Sequence, residues 1–446
     1  MKSVFKPFLK RRYLVLVLLW FVYVVNYLDR LIITTFLPFM QEDLHLTPVQ
    51  SGQLVSAFFF VYALCQIPYG FIVDKFGAKK TMGVSILLFS AVTALTGSVK
   101  NFLHFMILRF GLAIGEAGFY PGAAQTIKSW FPSKEQGMAM SSFSTGKTVA
   151  SALGPVILTT LSVYLFGGSW RPVFYLLAIP GFISAIFLWV YVQNSPNEIK
   201  NKTQPQNETK TKTIQTNSIL ETKKIKDKKV NSSIFLKDSY FYLYSIIQFC
   251  QLAVYWGCTT WLTSFLVKQH GMNIQQMGII ATLPYIISIF SMMLGGWLMD
   301  KVFHRMKPIA LIAYLSLVPL LLVIGQVDKG KISVLLPLLL LIGFFISFNI
   351  GASLASLQNR YPKEVLGRAI GISNTCGQFG SFISPVIAGY LVIVTASGSQ
   401  DFHNVFNFLA GIAGVGALCA IFMKEKPLKV LDLPKFEEEQ PKQQIL

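Results

Sequence analysis

Charge is scarce in this sequence. Asp, Glu, Lys and Arg together make up 13% of its 446 residues, about half of the ~25% that soluble globular proteins carry. Hydrophobic residues make up 53%, and the mean hydropathy is +0.54. This composition excludes an ordinary soluble domain and indicates a protein that lies in a lipid bilayer.

Cysteine and histidine are also few, with five of each. The cysteines lie inside apolar segments without the spacing of metal ligands, and the histidines lie in loops or at segment ends. We therefore expect a protein that is not an enzyme and has no metal or cofactor. Protons are the expected coupling ion, for the reasons given below.

Long apolar runs fill most of the chain. The hydrocarbon core of a bilayer is about 30 Å thick and needs about 20 apolar residues per helix. Twelve runs reach that length: 13–36, 50–73, 81–98, 102–127, 138–165, 172–193, 238–266, 275–299, 307–326, 332–356, 366–394 and 403–423. The sequence predicts an all-α membrane protein with twelve transmembrane helices.

The net charge of +19 is unevenly distributed. Lys and Arg gather before the first run, after the second, and between the sixth and seventh, whereas 37–50 and 395–404 contain none. Such residues accumulate on the cytoplasmic side of a membrane. The pattern predicts cytoplasmic N and C termini and a cytoplasmic central loop, and it requires no nucleic-acid partner.

A polar stretch divides the runs into two groups of six. Residues 194–233 are rich in Lys, Thr, Asn and Gln and almost free of aromatics, which is typical of a flexible linker. The predicted organisation is an N-terminal six-helix bundle (1–193), this linker, a C-terminal six-helix bundle (234–426) and a cytoplasmic tail (427–446).

Two short stretches indicate that the halves repeat each other. "GFIVDKFGAKK" follows the second run and "GWLMDKVFHR" the eighth. In each, a glycine that allows close helix approach precedes Asp-Lys by four residues, and the Asp can meet a basic residue or a helix N-terminus in one conformation only. The predicted gating residues are Gly70, Asp74, Lys75, Gly77, Lys79, Asp300 and Lys301. A solvated charged turn is the alternative, above all for the second stretch.

Five ionisable residues lie deep within the runs, all in the first half: Asp29, Arg30, Arg109, Glu116 and Lys147. Burial of such groups costs several kcal/mol, so they indicate a functional site; structural ion pairs are the alternative. Three cations and two carboxylates leave one positive charge, and protonation of a carboxylate leaves two. Proton and anion binding are then coupled, and linkage makes the coupling reciprocal. The pattern predicts proton–anion symport.

Several motifs resemble a known family. "GFIVDKFGAKK" resembles the signature between spans 2 and 3 of the major facilitator superfamily. "NYLDR", "YALCQIPYG" and "LRFGLAIGEAGFYPG" are similar to its anion:cation symporter family, which includes bacterial carriers of sugar acids and the sialins. The resemblance implies two six-helix pseudo-repeat bundles, alternating access and a multi-pass location in the inner (plasma) membrane.

The resemblance also implies roles for the deep charges. Asp29 and Glu116 become the proton-responsive carboxylates, and Arg30 engages the carboxylate of the substrate. Arg109 is expected to pair with Glu116 and to release it as the proton arrives.

Substrate contacts are implied at further positions. Tyr62 matches a pocket tyrosine of the family, and Asn374 matches a polar contact in span 11. Gln378 stands where the family usually has Asn. Asn349 is a further candidate, for which a helix–helix hydrogen bond is the alternative. Tyr255 and Trp256 are candidate aromatic walls, for which plain packing is the alternative.

Lys147 departs from the family, which usually has an uncharged residue in this part of span 5. It either forms a second anchor for an anion, suited to a dianionic or phosphorylated substrate, or extends its ammonium toward an aqueous vestibule.

The leading hypothesis is a monomeric transporter that imports a small organic anion, such as a sugar acid or other carboxylate, with protons across the bilayer. An exporter that exchanges a metabolite, siderophore or drug for protons is the first alternative. A membrane sensor that does not transport is the second.

Overall fold

The structure is a computed structural model that describes residues 2–132, 135–193, 234–361, 363–395 and 399–425. The predicted linker and tail lie outside these residues. The described chain is almost entirely helical. Its strands are Ile393–Val394 and Gln400–Asp401, which pair antiparallel, and a 3-10 turn at Ile234–Lys237 precedes the second half.

Twelve helical spans form the described part of the chain, which confirms the predicted number. In order they are Lys2–Asp43, Pro48–Phe76, Ala78–Thr96, Phe102–Trp130, Gln136–Phe166, Arg171–Tyr191, Ser239–Ser264 with the π-helical turn Phe265–Gln269, Ile274–Leu298 with the π-helical turn Met299–Phe303, Met306–Ile324, Ile332–Arg360, Lys363–Leu391 and His403–Phe422.

Ten of the twelve spans are long and apolar enough to cross a membrane. The other two are spans 7 and 11, which carry several Ser, Thr, Asn and Gln residues among their apolar ones. These two spans pack against each other, and both line the cavity described below. Their lower apolarity therefore follows from facing water inside the protein rather than lipid.

The two halves repeat each other in detail. Span 4 is broken between Phe102–Ala117 and Phe119–Trp130, and span 10 is broken in the same way between Ile332–Phe348 and Ile350–Arg360. The two breaks lie at the same distance along the fourth helix of each half, to within one residue. The pseudo-repeat of six-helix bundles is thereby confirmed.

The second helix of each half also begins alike. Thr47 caps span 2 and Asn273 caps span 8, and each forms a reciprocal capping box with a Gln three residues later. These boxes satisfy backbone N–H groups that would otherwise lack partners at a helix start. A glycine follows each capping residue by five positions.

Those two glycines lie where the halves meet. A Cβ at Gly52 would overlap the carbonyl oxygen of Pro385, and one at Gly278 would overlap the side chain of Thr159. Span 2 thus packs closely on span 11, and span 8 packs closely on span 5. These equivalent contacts close the bundle at the end where span 1 ends and span 2 begins.

Further contacts join spans 1 and 7 at the same end. Oγ1 of Thr263 donates to the backbone oxygen of Thr34 at 2.5 Å. Lys268 forms an ion pair with Glu42. We call this set of contacts the closed end.

Candidate functional site

A cavity of about 380 Å³ lies between the two halves, within the range typical of small-molecule sites, about 300–1,000 Å³. It occupies the side on which spans 1 and 7 begin, away from the closed end. Its walls are Tyr23, Tyr27, Arg30, Phe59, Tyr62, Gln66, Tyr120 and Lys147 from the first half, and Tyr244, Gln248, Gln251, Leu252, Trp256, Ile350, Ser353, Leu357, Ile370, Ser373, Asn374 and Gln378 from the second.

Arg30, which lines the cavity, forms an ion pair with a carboxylate buried behind it. Nε of Arg30 in span 1 donates to Oε2 of Glu116 in span 4 at 2.6 Å, and the Glu116 side chain is fully buried. The expected pairing of Arg109 with Glu116 is wrong for this structure, because Nε of Arg109 donates to the backbone oxygen of Leu54 at 3.0 Å. Seven residues separate the two on span 4, about 10 Å of helix rise, so a side chain from span 1 reaches Glu116 instead.

Asp29 lies beside this pair but away from the cavity. Its side chain is buried and interacts electrostatically with Glu116 and Arg109. Because neighbouring residues on a helix point about 100° apart, Arg30 faces the cavity while Asp29 faces span 4. Oδ1 of Asp29, Nη1 of Arg109 and Oε1 of Glu116 are buried without a hydrogen-bond partner among the described residues. The cluster thus has spare donors and acceptors for another arrangement.

Aromatic rings hold Arg30 at the cavity. Its Cζ lies 4.5 Å from the centroid of the Tyr62 ring, 4.9 Å from that of Phe58 and 5.5 Å from that of Tyr27. Contacts of this kind attract a guanidinium to the ring faces. Tyr62, expected in the pocket, therefore lines the cavity and also positions Arg30.

Lys147 faces the same cavity from span 5. Its side chain is exposed there, and its Nζ lies 5.3 Å from the centroid of the Tyr27 ring. Among the described residues, no carboxylate lies within ion-pair distance of it. The position agrees with an anchor inside the cavity.

The second half contributes neutral polar groups. Asn374 and Gln378 line the cavity from span 11, where the family resemblance placed them. Oγ of Ser353 contacts both Oε1 of Gln248 and the hydroxyl of Tyr244 at 2.9 Å. Amides and hydroxyls facing two cations form a site with charge on one side and hydrogen-bonding groups on the other.

Two expected contacts are not at the cavity. Asn349 is fully buried at the break in span 10, and both polar atoms of its side chain lack partners among the described residues. Tyr255 lines a separate, mostly apolar cavity inside the second half. Its neighbour Trp256 lines the cavity between the halves instead. Trp256 follows Gln248 and Leu252 at four-residue spacing, so the three lie on one helix face.

Sequence reasoning missed several lining residues that carried a readable signal. Tyr27 and Tyr23 lie three and seven residues before Arg30, on the same helix face. Gln248 and Gln251 are two amides three residues apart within one apolar span. The two tyrosines could have been found from their helical spacing to Arg30. The two glutamines could have been found because two amides at helical spacing are unusual within an apolar span.

The first gating stretch lies at the end of span 2, on the cavity side of the bundle. Oδ1 of Asp74 accepts a hydrogen bond from Nε2 of Gln125 at 3.3 Å. The partner of Asp74 in this structure is therefore a neutral amide of span 4, rather than the expected basic residue or helix N-terminus. Gly77 ends the helix with a φ of 85°, a conformation that favours glycine. Lys75 is exposed, and Lys79 lies in the first turn of span 3.

The glycines of the two gating stretches differ. The predicted close helix approach at Gly70 is wrong, because a Cβ there would meet nothing within 4 Å. A Cβ at its counterpart Gly296 would lie 3.9 Å from Cα of Gly351 in span 10. Asp300 and Lys301 are exposed in the π-helical turn that ends span 8.

A carboxylate outside the spans ties span 7 to the end of span 10. Nε and Nη2 of Arg360 donate to the two oxygens of Asp238 at 2.7 and 3.0 Å, and the Tyr361 hydroxyl donates at 2.8 Å. Burial disfavours the ionised carboxyl group, but these hydrogen bonds outweigh it and lower the pKa of Asp238. The two ends therefore stay joined at neutral pH.

Comparisons with known proteins agree with this geometry. A family model described as the Major Facilitator Superfamily matches residues 19–385 and 332–446. The chain is 28% identical to a probable sulfoacetate transporter of Cupriavidus necator, over 96% of this chain and 97% of that protein. It is 27% identical to a probable galactarate/D-glucarate transporter of Escherichia coli, over 92% of this chain and 94% of that protein.

Solved structures share the fold. A bacterial homologue of the human lysosomal transporter Spinster, in an inward-facing and occupied conformation, matches with a TM-score of 0.73 and 18% identity, over 92% of this chain and 96% of that chain. A D-xylose–proton symporter matches with a TM-score of 0.72 and 16% identity, over 93% of this chain and 98% of that chain.

Proposed function

The chain belongs to the major facilitator superfamily, and from this premise we propose that it imports a small organic anion together with protons by alternating access. It is a multi-pass protein of the inner (plasma) membrane and a transporter rather than an enzyme. The proposal concerns what it carries, which ion drives it and in which direction.

The ion pair between Arg30 and Glu116 is the observation that carries the proposal. When Glu116 takes up a proton, it loses the charge that holds Arg30, and the guanidinium becomes free to bind an anion in the cavity. Bound anion in turn makes the charged form of Glu116 less favourable. Each ligand therefore strengthens the binding of the other, which is the linkage that symport requires.

The surroundings of the pair support an organic anion as the substrate. The cavity combines two cations with amides and hydroxyls, which suits a carboxylate that also carries hydroxyl groups. Two of the relatives named above are described as transporters of sulfoacetate and of galactarate or D-glucarate. We assign the open side of the cavity to the cytoplasm, because Arg11, Arg12, Lys75, Lys79 and Lys80 lie at that end.

Uptake driven by an imposed proton gradient tests the proposal. Full-length protein in proteoliposomes is expected to accumulate radiolabelled sulfoacetate or galactarate when the outside is about one pH unit more acidic, since coupled flow follows the proton. A proton-coupled exporter gives the reverse, with accumulation only when the inside is more acidic. Protein-free vesicles and vesicles without a gradient are the controls.

Alternating access requires the closed end to form and to separate. We expect Gly52→Leu to abolish substrate exchange, because the side chain has no room against Pro385 and the halves cannot close there. Exchange is measured in proteoliposomes together with the melting temperature, which is expected to fall modestly, since overpacking of this kind costs about 1–3 kcal/mol.

Gly411→Leu in span 12 is the matched control, since a Cβ at Gly411 meets nothing within 4 Å. Wild-type exchange by Gly52→Leu contradicts the assignment of the closed end.

A further inference from the structure

Two cations line the cavity, and only one of them has an anionic partner among the described residues. Arg30 is paired with Glu116, whereas Lys147 faces the cavity without a carboxylate in reach. A Lys in the membrane-embedded part of a bundle is costly even where it faces an aqueous cavity, and it indicates a function. The Arg30–Glu116 pair explains proton coupling but does not explain Lys147.

The tyrosine at position 27 connects the two cations. Cζ of Arg30 lies 5.5 Å and Nζ of Lys147 lies 5.3 Å from the centroid of its ring. The two cations are therefore no further apart than the sum of these distances. This upper limit admits one small molecule that carries an anionic group at each end, with one group at each cation.

We propose that Lys147 and Arg30 form a two-cation site that selects dianions, with one anionic group of the substrate at each cation. This inference rests on the proposed function and adds the substrate class. The groups at the two ends are carboxylates or sulfonates, both of which accept hydrogen bonds from an ammonium or a guanidinium. Hydroxyls between them face Asn374 and Gln378 on the opposite wall.

The charges of the whole cluster favour the same class. With both carboxylates ionised, the five deep residues carry one net positive charge, and one bound proton raises it to two. A dianion then brings the occluded site to zero, whereas a monoanion leaves one positive charge in a low-dielectric environment. Because an uncompensated buried charge is expensive, the loaded carrier closes more readily around a dianion and one proton.

Substrate exchange at equal pH on both sides tests the inference. The probes are galactarate, with a carboxylate at each end, and galactonate, in which a hydroxymethyl group replaces one carboxylate. We expect Lys147→Gln to raise the KM for galactarate about tenfold or more, as loss of a charge-assisted hydrogen bond implies. The KM for galactonate is expected to stay unchanged, and Lys147→Arg is expected to retain the preference for the dianion.

Lys100→Gln, which removes an exposed cation far from the cavity, is the matched control. Sulfoacetate and acetate form a second pair of dianion and monoanion, in case the chain prefers a shorter substrate.

An equal rise in the KM for dianion and monoanion in Lys147→Gln, or no change in either KM, overturns the inference. Exchange needs no proton gradient, so a failure of proton coupling leaves this result interpretable. If wild type exchanges none of the four anions, the proposed function itself is wrong.

Discussion

Glu116→Gln is expected to exchange substrate across the membrane but to lose accumulation driven by a proton gradient. The amide keeps the size of the carboxyl group and cannot take up a proton, and Arg30 is permanently free of its counter-charge. A pH difference of one unit corresponds to about 1.4 kcal/mol per proton, or up to about tenfold accumulation for each proton coupled. Uptake of labelled substrate with and without an acidic outside measures this ratio, which is expected to fall to one in the variant.

The matched control for this experiment is Glu135→Gln. Glu135 also pairs with an arginine of the first half, Arg12, at 3.0 Å, but its side chain is 44% exposed. Exposed pairs of this kind contribute little, about 0–1 kcal/mol, so accumulation is expected to remain. Normal accumulation by Glu116→Gln shows that the coupling carboxylate lies elsewhere, with Asp29 as the next residue to change.

Arg30→Gln is expected to abolish transport and also to destabilise the fold. Removing one partner of a buried ion pair leaves an uncompensated charge and costs about 3–5 kcal/mol. The double variant Arg30→Gln/Glu116→Gln is expected to recover most of the melting temperature, because the carboxylate that the single variant leaves without its ion-pair partner is then gone. It is expected to remain inactive in exchange, because Arg30, the proposed anion-binding cation, is still missing. Acidic pH is expected to raise the melting temperature of the single variant, since protonated Glu116 needs no partner.

Lys331→Gln controls for the general effect of removing a cation. Lys331 pairs with Asp328, and both side chains are more than 60% exposed, so little change in melting temperature is expected. Equal melting temperatures for Arg30→Gln and the double variant contradict the coupling between Arg30 and Glu116.

The architecture was predictable because its signals are local and strong. Each span is a long apolar run, and deep charges such as Asp29 and Lys147 stand out against such a background. Even the repeat left a trace, since Asp-Lys follows a glycine at equal spacing in both halves. The number of spans and the two bundles follow from these features without knowledge of any contact.

Contacts between spans were harder to predict, because they depend on how helices rotate against each other. Arg109 and Glu116 lie on one span, but the sequence could not show that Arg30 reaches Glu116 first. Tyr255 and Trp256 are neighbours of similar character, and only the rotation of span 7 decides which of them faces the cavity. Asn349 is a candidate substrate contact from the sequence, but a break in span 10 buries it away from the cavity, and an apolar run does not reveal such a break.

The break in span 4 separates two parts of the transport machinery. Phe102–Ala117 carries Glu116, whereas Phe119–Trp130 carries Gln125, which holds Asp74 at the end of span 2. An unbroken helix would transmit any tilt of one end to the other. We expect the interruption at Gly118 to let the second segment tilt and release Asp74 while the segment that carries Glu116 keeps its place. Mutations on the two sides of Gly118 are therefore expected to change different quantities, the proton-to-substrate ratio on one side and the turnover rate on the other.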